Sequence, residues 1–260
     1  VQLIDCDVEE PNADILLHPV HERREQVSIL VPKVDEEKCV RCGRCAEECQ
    51  FSAIALVRDK VFTFYELCAG CGVCAYVCPA GAIEEVPRVV GGVDIGYVPV
   101  GGGRRIRFVQ GRMNVGEQRA PATIRAVKEH ADAGCIVILD SAPGTSCPMQ
   151  ETVEDADACV LVTEPTPFGL HDMAMAVETC RELGVPVAVV LNREGIGDSD
   201  AVEEYCEREG LEILLRIPHS RRIAEAYSRG ETLLSAVDGA EEKLLGMYEA
   251  VQRIATQVRR

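Results

Sequence analysis

The segment Cys39-Val-Arg-Cys42-Gly-Arg-Cys45-Ala-Glu-Glu-Cys49 is repeated 29 residues later as Cys68-Ala-Gly-Cys71-Gly-Val-Cys74-Ala-Tyr-Val-Cys78-Pro79. The two runs share all four cysteines and the glycine that follows the second of them. The match continues into the pairs Ala53-Ile54 and Ala82-Ile83. A repeat of this kind indicates a pseudo-symmetric pair of units rather than two chance clusters of cysteine.

The spacing C-x2-C-x2-C-x3-C is typical of the ligands of [4Fe-4S] clusters in bacterial ferredoxins. Three closely spaced thiolates bind three corners of a cube, and the fourth cysteine begins a helix that points away and binds the other cluster. Structural zinc prefers paired C-x2-C hooks that lie well apart, so zinc is a poorer fit. The spacing predicts two clusters, the first held by Cys39, Cys42, Cys45 and Cys78, and the second by Cys68, Cys71, Cys74 and Cys49.

The composition argues against several other classes of protein. The 260 residues carry a formal net charge of −16, and only 4% of them are aromatic. Nucleic-acid binding needs clustered Lys and Arg, so we expect no nucleic-acid partner. We also expect no integral membrane segment and no signal peptide, since no stretch approaches the roughly 18 consecutive apolar residues of a spanning helix. The expected location is cytoplasmic, where cysteines bind metal or lie buried more often than they form disulfides.

The pattern changes on both sides of the cysteine runs. Pro32 and Pro87 mark the entry and exit of the cysteine-rich segment. Elsewhere, short apolar runs alternate with stretches of helical spacing, such as Leu170, Met173 and Val177. This alternation predicts an α/β fold with a mostly parallel sheet covered by helices. We expect residues 1–31 and 88–260 to form this domain, and residues 32–87 to form an inserted α+β domain of the bacterial ferredoxin type.

Acidic residues follow two of the predicted strands. Asp5-Cys-Asp7 ends the first, and Asp140-Ser-Ala-Pro-Gly144-Thr ends another. In parallel α/β sheets ligands bind outside the carboxyl ends of the strands. An acid after four apolar residues resembles a Walker B carboxylate, which helps to hold Mg²⁺ beside a nucleotide phosphate. Aspartate at a strand end is also common as a turn or helix cap, so both interpretations stay open.

Several stretches together resemble the MinD/ParA/Mrp group of deviant P-loop ATPases, in particular the MinD-superfamily members with an inserted two-cluster ferredoxin domain. The similarity covers essentially the whole chain. The matching stretches are Leu3-Ile-Asp-Cys-Asp-Val-Glu-Glu-Pro-Asn12, Arg107-Phe-Val-Gln-Gly-Arg-Met-Asn-Val-Gly-Glu117, Ile138-Leu-Asp-Ser-Ala-Pro-Gly-Thr-Ser-Cys-Pro148, Val162-Thr-Glu-Pro-Thr-Pro-Phe-Gly-Leu-His-Asp172 and Ile217-Pro-His-Ser-Arg-Arg-Ile-Ala-Glu-Ala-Tyr-Ser-Arg-Gly-Glu231.

The resemblance implies ATP and Mg²⁺ as further cofactors and assigns roles to individual residues. Asp7 matches the carboxylate that orients the attacking water or a Mg²⁺-bound water, with Asp5 as the neighbouring candidate, and Asp140 matches the Walker B acid. Gly144 lies in the matching switch-like turn. By the same resemblance, adenine is read by Asn192 and flanked by Pro218.

The phosphate-binding loop of this group, a Gly-rich turn that ends Gly-Lys-Thr, is expected upstream of Val1. The chain has five lysines, and none follows a glycine. Gly101-Gly-Gly-Arg-Arg105 lacks the lysine and hydroxyl that contact phosphates and Mg²⁺. We therefore expect a fragment without the first strand and the P-loop, with a natural relative that has no P-loop as the alternative. By itself such a chain should bind ATP poorly. ATPase activity is thus implied by resemblance but is uncertain for these residues.

Three functions remain in competition. The leading hypothesis is an iron–sulfur ATPase in which ATP binding and hydrolysis switch a homodimer and couple to electron transfer through two [4Fe-4S] clusters, with redox proteins as partners. The alternatives are a non-enzymatic ferredoxin-type electron carrier on a borrowed scaffold, and a carrier that assembles clusters and hands them to apo-proteins. Ligation by four cysteines per cube leaves no open coordination site, which favours the first two.

Overall fold

The computed structural model describes residues 1–258. Its strands in chain order are β1 (Gln2–Asp5), β2 (Val20–Val34), β3 (Ile54–Val57), β4 (Lys60–Thr63), β5 (Ile83–Val100), β6 (Arg104–Met113), β7 (Val137–Asp140), β8 (Cys159–Thr163), β9 (Val187–Glu194) and β10 (Ile213–Pro218). Its helices are α1 (Ala13–Leu17), α2 (Arg44–Glu47), α3 (Val73–Tyr76), α4 (Pro121–Lys128), α5 (Cys147–Val153), α6 (Pro167–Glu182), α7 (Ser199–Glu209), α8 (Arg221–Ser228), α9 (Leu233–Ala236) and α10 (Ala240–Val258). Within residues 1–258, no helix combines the length and apolar character needed to cross a bilayer.

The described residues form two compact units. The first contains residues 1–11 and 19–140, and the second contains residues 12–18 and the chain from Ser141 onward. Strands alternate with helices in both units, so the predicted α/β class is confirmed.

The first unit is built on a five-stranded sheet in the order β2-β5-β6-β1-β7. Strand β1 pairs in parallel with β6 on one side and β7 on the other, as the apolar runs predict. Strands β2, β5 and β6 pair antiparallel and extend the sheet on one side. Because β1 lies between β6 and β7, the residues that follow it lie at the carboxyl edge of the parallel part of the sheet.

The antiparallel ribbon of β2 and β5 carries the cysteine-rich segment at its far end. Val34 pairs with Ile83, and the amide of Asp35 donates a hydrogen bond of 2.8 Å to the carbonyl of Ala82. Both ends of the segment are therefore held side by side. The first half of β2, residues 21–26, is polar and shows no apolar alternation, which is why the sequence did not predict this long strand.

The core of the first unit lies between the sheet and α4. Ile124 and Val127, three positions apart on one helix face, are fully buried against Ile4 and Val109 of the parallel strands. Burying an aliphatic side chain of this size stabilises the fold by about 1.5–3 kcal/mol. This packing anchors α4 on β1 and β6, the strands that carry Asp5 and Gln110.

The second unit contains a three-stranded parallel sheet in the order β10-β9-β8. Met173 and Val177 of α6 pack on Val189 and Leu191 of β9, at the helical spacing that the sequence predicted. The six cysteines outside the two runs differ in their exposure. Cys6, Cys180 and Cys206 are buried, Cys135 and Cys159 are half-buried, and Cys147 is exposed.

Candidate functional site

The two cysteine runs have matching backbones. Gly43 (φ 81°) and Gly72 (φ 72°) each adopt a left-handed conformation immediately before the short helices α2 and α3. Glycine enters this region without the strain that a Cβ atom causes, so it permits the tight turn between the second and third cysteine of each run. The 29-residue repeat in sequence is therefore a repeat in conformation.

A cavity of about 410 Å³, its open mouth included, lies beside the second run. Its wall contains Cys68, Cys71 and Cys74 together with Cys49, which comes from the first run. Cys49 also packs directly against the small buried core that contains Cys68. The structure thus brings together the four cysteines that the sequence predicts as ligands of the second cluster, including the crossover from one run to the other.

The third cysteine of each run, Cys45 and Cys74, is partly withdrawn from water. Burial, with the neighbouring Cys68 and Cys71, raises the pKa of the Cys74 thiol to about 11. Burial likewise raises the pKa of Cys45, and its first-run neighbours Cys39 and Cys42 add to the shift. Without a bound cation these thiols stay protonated at neutral pH, and metal binding must release their protons.

Backbone amides donate hydrogen bonds to the fourth cysteine of each run. The amide of Ala53 lies 3.3 Å from Sγ of Cys49, and the amide of Ala82 lies 3.3 Å from Sγ of Cys78. Hydrogen bonds to cluster sulfurs are one of the factors that set reduction potential. The repeated alanines thus place the same donor beside both crossover ligands.

The donor set fits iron–sulfur cubes. All-thiolate ligation suits such clusters, and a cube spaces its four thiolates more widely than a single ion does. Among residues 1–258, no three Cys, His, Asp or Glu side chains lie close enough together to hold one metal ion. The placement of Cys78 beside the other three ligands of the first cluster stays a prediction from the repeat.

Acidic residues also meet at the carboxyl ends of β1 and β7. Asp5 pairs in register with Asp140, and the amide of Asp7 donates to Oδ1 of Asp5 at 3.1 Å. Asp140 is exposed at the end of β7, but partial desolvation of its carboxyl, and then the charges of Asp5 and Asp7, raise the pKa of Asp140. The concentration of negative charge at this edge is one that a divalent cation would offset.

The other residues with a predicted nucleotide role lie in the second unit. Gly144 is exposed, with a φ of 92°, in the turn before α5. Asn192 lies near the end of β9, and Pro218 ends β10, where it pairs in register with Glu194. Asn192 and Pro218 therefore share the carboxyl edge of the three-stranded sheet.

The sequence reasoning missed three residues around these sites. Gln110 of β6 is buried, and its Nε2 donates to Oδ2 of Asp5 at 3.0 Å. Glu85 lines the cavity of the second run. Arg119 places its guanidinium 4.2 Å from the ring centroid of Phe51, another cavity residue, and donates to the carbonyl of Leu67 at 2.9 Å. Each of the three contacts residues that are distant in sequence, so no local sequence pattern indicates its position.

Comparison with known proteins agrees with the cysteine pattern. The family model for the 4Fe-4S dicluster domain matches residues 32–85, which contain all eight cysteines of the two runs. "Uncharacterized protein MJ0579" of Methanocaldococcus jannaschii is 31% identical over 245 residues, which cover 91% of this chain and 81% of that protein. "Uncharacterized protein MJ0578" of the same organism is 30% identical over 197 residues, which cover 75% of this chain and 68% of that protein.

Among solved structures, the cell division ATPase MinD of Pyrococcus furiosus aligns over 97% of this chain and 85% of its own length. The sequence identity is 16% and the TM-score is 0.48. The dicluster match confirms the predicted ferredoxin-type domain.

Proposed function

The chain belongs to the same family as MJ0579 and MJ0578, and for this member with its 4Fe-4S dicluster domain we propose electron transfer through two [4Fe-4S] clusters, coupled to the binding and hydrolysis of ATP. The observation that carries the proposal is the cavity in which Cys49 from one run joins Cys68, Cys71 and Cys74 from the other. A crossover of this kind is the arrangement expected of a two-cluster ferredoxin.

The clusters supply one-electron chemistry at potentials that the surrounding protein sets. The eight cysteines of the two runs act as the ligands. The amides of Ala53 and Ala82 donate hydrogen bonds to two of the ligand sulfurs, and Gly43 and Gly72 shape the turns. Four thiolates per cube leave no coordination site for a substrate, so the module transfers electrons and performs no bond chemistry.

The nucleotide part of the proposal is supported by the acidic edge of the first unit. Asp5, Asp7 and Asp140 lie at the carboxyl ends of adjacent parallel strands, where α/β proteins bind ligands. We propose that Asp140 holds Mg²⁺, directly or through water, and that Asp7 orients the attacking water. Gly144, Asn192 and Pro218 complete the proposal by family resemblance, as the phosphate-sensing turn and the adenine contacts.

Anaerobic reconstitution tests the redox part. We expect about eight irons per chain, as two four-iron cubes require, and reduction by dithionite that gives the electron paramagnetic resonance (EPR) signal of reduced [4Fe-4S] clusters. Tightly bound zinc in their place, or clusters that dithionite cannot reduce, would contradict electron transfer. Rapid transfer of the clusters to an apo-protein would favour the assembly carrier.

The nucleotide part needs the reading frame before Val1 to be sequenced and, where it continues, expressed together with this chain. We expect Asp140→Asn to reduce ATP hydrolysis by at least about 100-fold, since charge at the transferred phosphate loses its stabilisation. The matched control is Asp172→Asn, which removes an exposed carboxylate from α6. Reducible clusters without any nucleotide binding would leave the ferredoxin-type carrier as the function.

A further inference from the structure

A row of polar side chains crosses the sheet of the first unit at the level of the acidic edge. Asp94 of β5, Gln110 of β6, Asp5 of β1 and Asp140 of β7 are partners in register on four neighbouring strands. Residues paired directly across strands lie on the same face of a sheet, so their side chains are neighbours. Three members of the row are carboxylates, and Gln110 is the neutral member between two of them.

Gln110 and Asp5 are the inaccessible pair of this row. Gln110 is 1% exposed and Asp5 is fully buried. A buried carboxylate is costly unless its oxygens accept hydrogen bonds. Nε2 of Gln110 donates to Oδ2 of Asp5 at 3.0 Å, and the amide of Asp7 donates to Oδ1 at 3.1 Å. Each carboxylate oxygen is thus held by a donor from a different segment, which fixes the plane of the carboxylate.

The hydrogen bonds continue into the loop that follows β1. Oδ1 of Asp7 accepts from the amide of Glu10 at 3.3 Å. The carbonyl of the buried Val8 accepts from the amide of Met113 at 2.8 Å. Strand β6 therefore holds this loop at two points, through the side chain of Gln110 and the backbone of Met113. Asp7 lies between the two points.

The amide of Gln110 suits this place for an electrostatic reason. On its other side the register partner is Asp94, whose Oδ1 lies 3.7 Å from Nε of Arg24. A glutamate at position 110 would place carboxylates on three adjacent strands, where like charges disfavour one another. An apolar side chain would take this donor away from Oδ2 of Asp5. A neutral donor avoids both costs.

A second buried glutamine in the same sheet shows the pattern of a structural role. Gln2 lies at the amino end of β1 and is fully buried. Its Nε2 donates to the carbonyl of His130 at 2.9 Å, and its Oε1 accepts from the amide of Asp132 at 2.9 Å. Both partners are backbone groups of the segment between α4 and β7. Gln110, in contrast, donates to a carboxylate at the acidic edge.

Resting on the proposed ATP hydrolysis, we propose that Gln110 is a positioning residue for that reaction. It fixes the Asp5 carboxylate, which holds the amide of Asp7, and so it sets the place of the Asp7 carboxylate that orients the attacking water. Gln110 touches neither the water nor the phosphate in this role. Its loss should therefore slow the chemical step and leave the binding of ATP nearly unchanged.

Hydrogen exchange of the reconstituted chain tests the positioning without any nucleotide. The variant Gln110→Met keeps the length of the side chain and removes its donor. We expect the amide of Asp7 to exchange at least about 10-fold faster, because a lost hydrogen bond to a charged group frees the loop to open. The matched control Gln2→Met removes two buried hydrogen bonds, so it should accelerate exchange at Asp132 and leave the loop after β1 unchanged. Mass spectrometry of peptides that cover residues 5–10 measures the difference.

Kinetics of the longer chain expressed for the nucleotide test show whether this positioning matters for the reaction. We expect Gln110→Met to lower kcat for ATP hydrolysis by about 10- to 100-fold and to keep KM within about 2-fold, since displacing a catalytic group by about 1 Å has effects of this size. Gln2→Met should keep both constants. Gln110→Asn keeps an amide on a side chain one methylene shorter, so it should give an intermediate kcat, and it provides the measurement if Gln110→Met does not fold.

Two results would overturn the proposal. One is unchanged exchange at Asp7 in both Gln110 variants, and the other is faster exchange with a normal kcat, which would leave Gln110 a structural role only. A rise in KM with kcat unchanged would likewise contradict the positioning of Asp7. Failure of the proposed function is a different result, because the unsubstituted longer chain would then not hydrolyse ATP, and the proposal would fall with it whatever the exchange at Asp7.

Discussion

Arg41 and Gly70 occupy the same place in the two cysteine runs, and both have a left-handed backbone, with φ of 57° and 69°. The same holds for Ser52 (φ 52°) and Gly81 (φ 56°). The repeat thus keeps the path of the backbone and the ligand positions while the side chains differ. The first run carries the exposed cations Arg41 and Arg44, whereas Glu85 lines the cavity of the second run. The shared backbone and cysteines hold the clusters, whereas the side chains that differ determine the charge around each cluster.

The largest effect should come from breaking the crossover between the runs. We expect Cys49→Ser to remove the second cluster although the cysteine belongs to the first run, because Cys49 lines the cavity with Cys68, Cys71 and Cys74. Iron content should fall by about half, from two four-iron cubes to one.

The EPR spectrum identifies which cluster is lost. The spectrum of Cys49→Ser should match that of Cys71→Ser and differ from that of Cys42→Ser. The control Cys135→Ser, outside the cysteine-rich segment, should keep all the iron. A spectrum of Cys49→Ser that matched Cys42→Ser would show that each run holds its own cluster, and the crossover would be wrong.

The next prediction concerns the packing of the second run, at Gly70, against strand β2. A Cβ atom at Gly70 would lie 3.1 Å from the carbonyl oxygen of Leu30 and 3.3 Å from Cβ of Ile29 in β2. We expect Gly70→Ala to lower the free energy of unfolding by about 1–3 kcal/mol, from left-handed strain and this contact. Anaerobic urea unfolding followed by circular dichroism measures the change.

Two variants make this prediction specific. Gly81→Ala introduces the same left-handed strain where a Cβ meets nothing within 4 Å, so it should cost less than Gly70→Ala. Arg41→Gly should cost nothing or stabilise the fold, since it relieves the strain at its φ. Equal losses from Gly70→Ala and Gly81→Ala would mean that the contact with β2 does not matter.

The sequence predicted the parts that rest on local pattern. The cysteine spacing, the apolar runs of β1 and β7 and the helical stripe of α6 are each visible within a few residues, and each element lies where it was predicted. The ribbon of β2 and β5 was missed because the first half of β2 is polar and its stability comes from pairing with residues about 70 positions away. Glu85 and Arg119 were missed for the same reason, since their neighbours are distant in sequence.

A smaller effect should appear in the reduction potentials of the two clusters. Glu85 lines the second cavity, and its Oε1 lies 3.2 Å from where a Cβ of Gly72 would be. A negative charge disfavours reduction, so Glu85→Gln should raise the potential of the second cluster. The shift should be about 20–50 mV, from Coulomb's law over about 8 Å with an effective dielectric constant of about 40–80.

An EPR-monitored redox titration resolves this shift. The first cluster should keep its potential in Glu85→Gln, whereas Arg41→Gly should lower the potential of the first cluster and leave the second unchanged. Shifts of both clusters by the same amount in either variant would contradict the separate surroundings of the two runs.

The smallest predicted effect isolates a cation, Arg119, that the α/β part brings close to the second run. Arg119 stacks on Phe51, which follows the first run, and donates to Leu67, the residue before Cys68. The equivalent residue after the second run is Ala80, which has no ring for such stacking. Arg119→Gln should lower the potential of the second cluster by about 15 mV, from one charge about 12 Å away in a water-like dielectric. Arg119→Lys keeps the charge and should keep the potential.

The sign of the shift shows its cause. Loosened packing would shift the potential of the second cluster in the same direction in Glu85→Gln and Arg119→Gln, whereas the loss of charge shifts it in opposite directions. Only opposite shifts in one titration series are consistent with charge as the property in which the two runs differ.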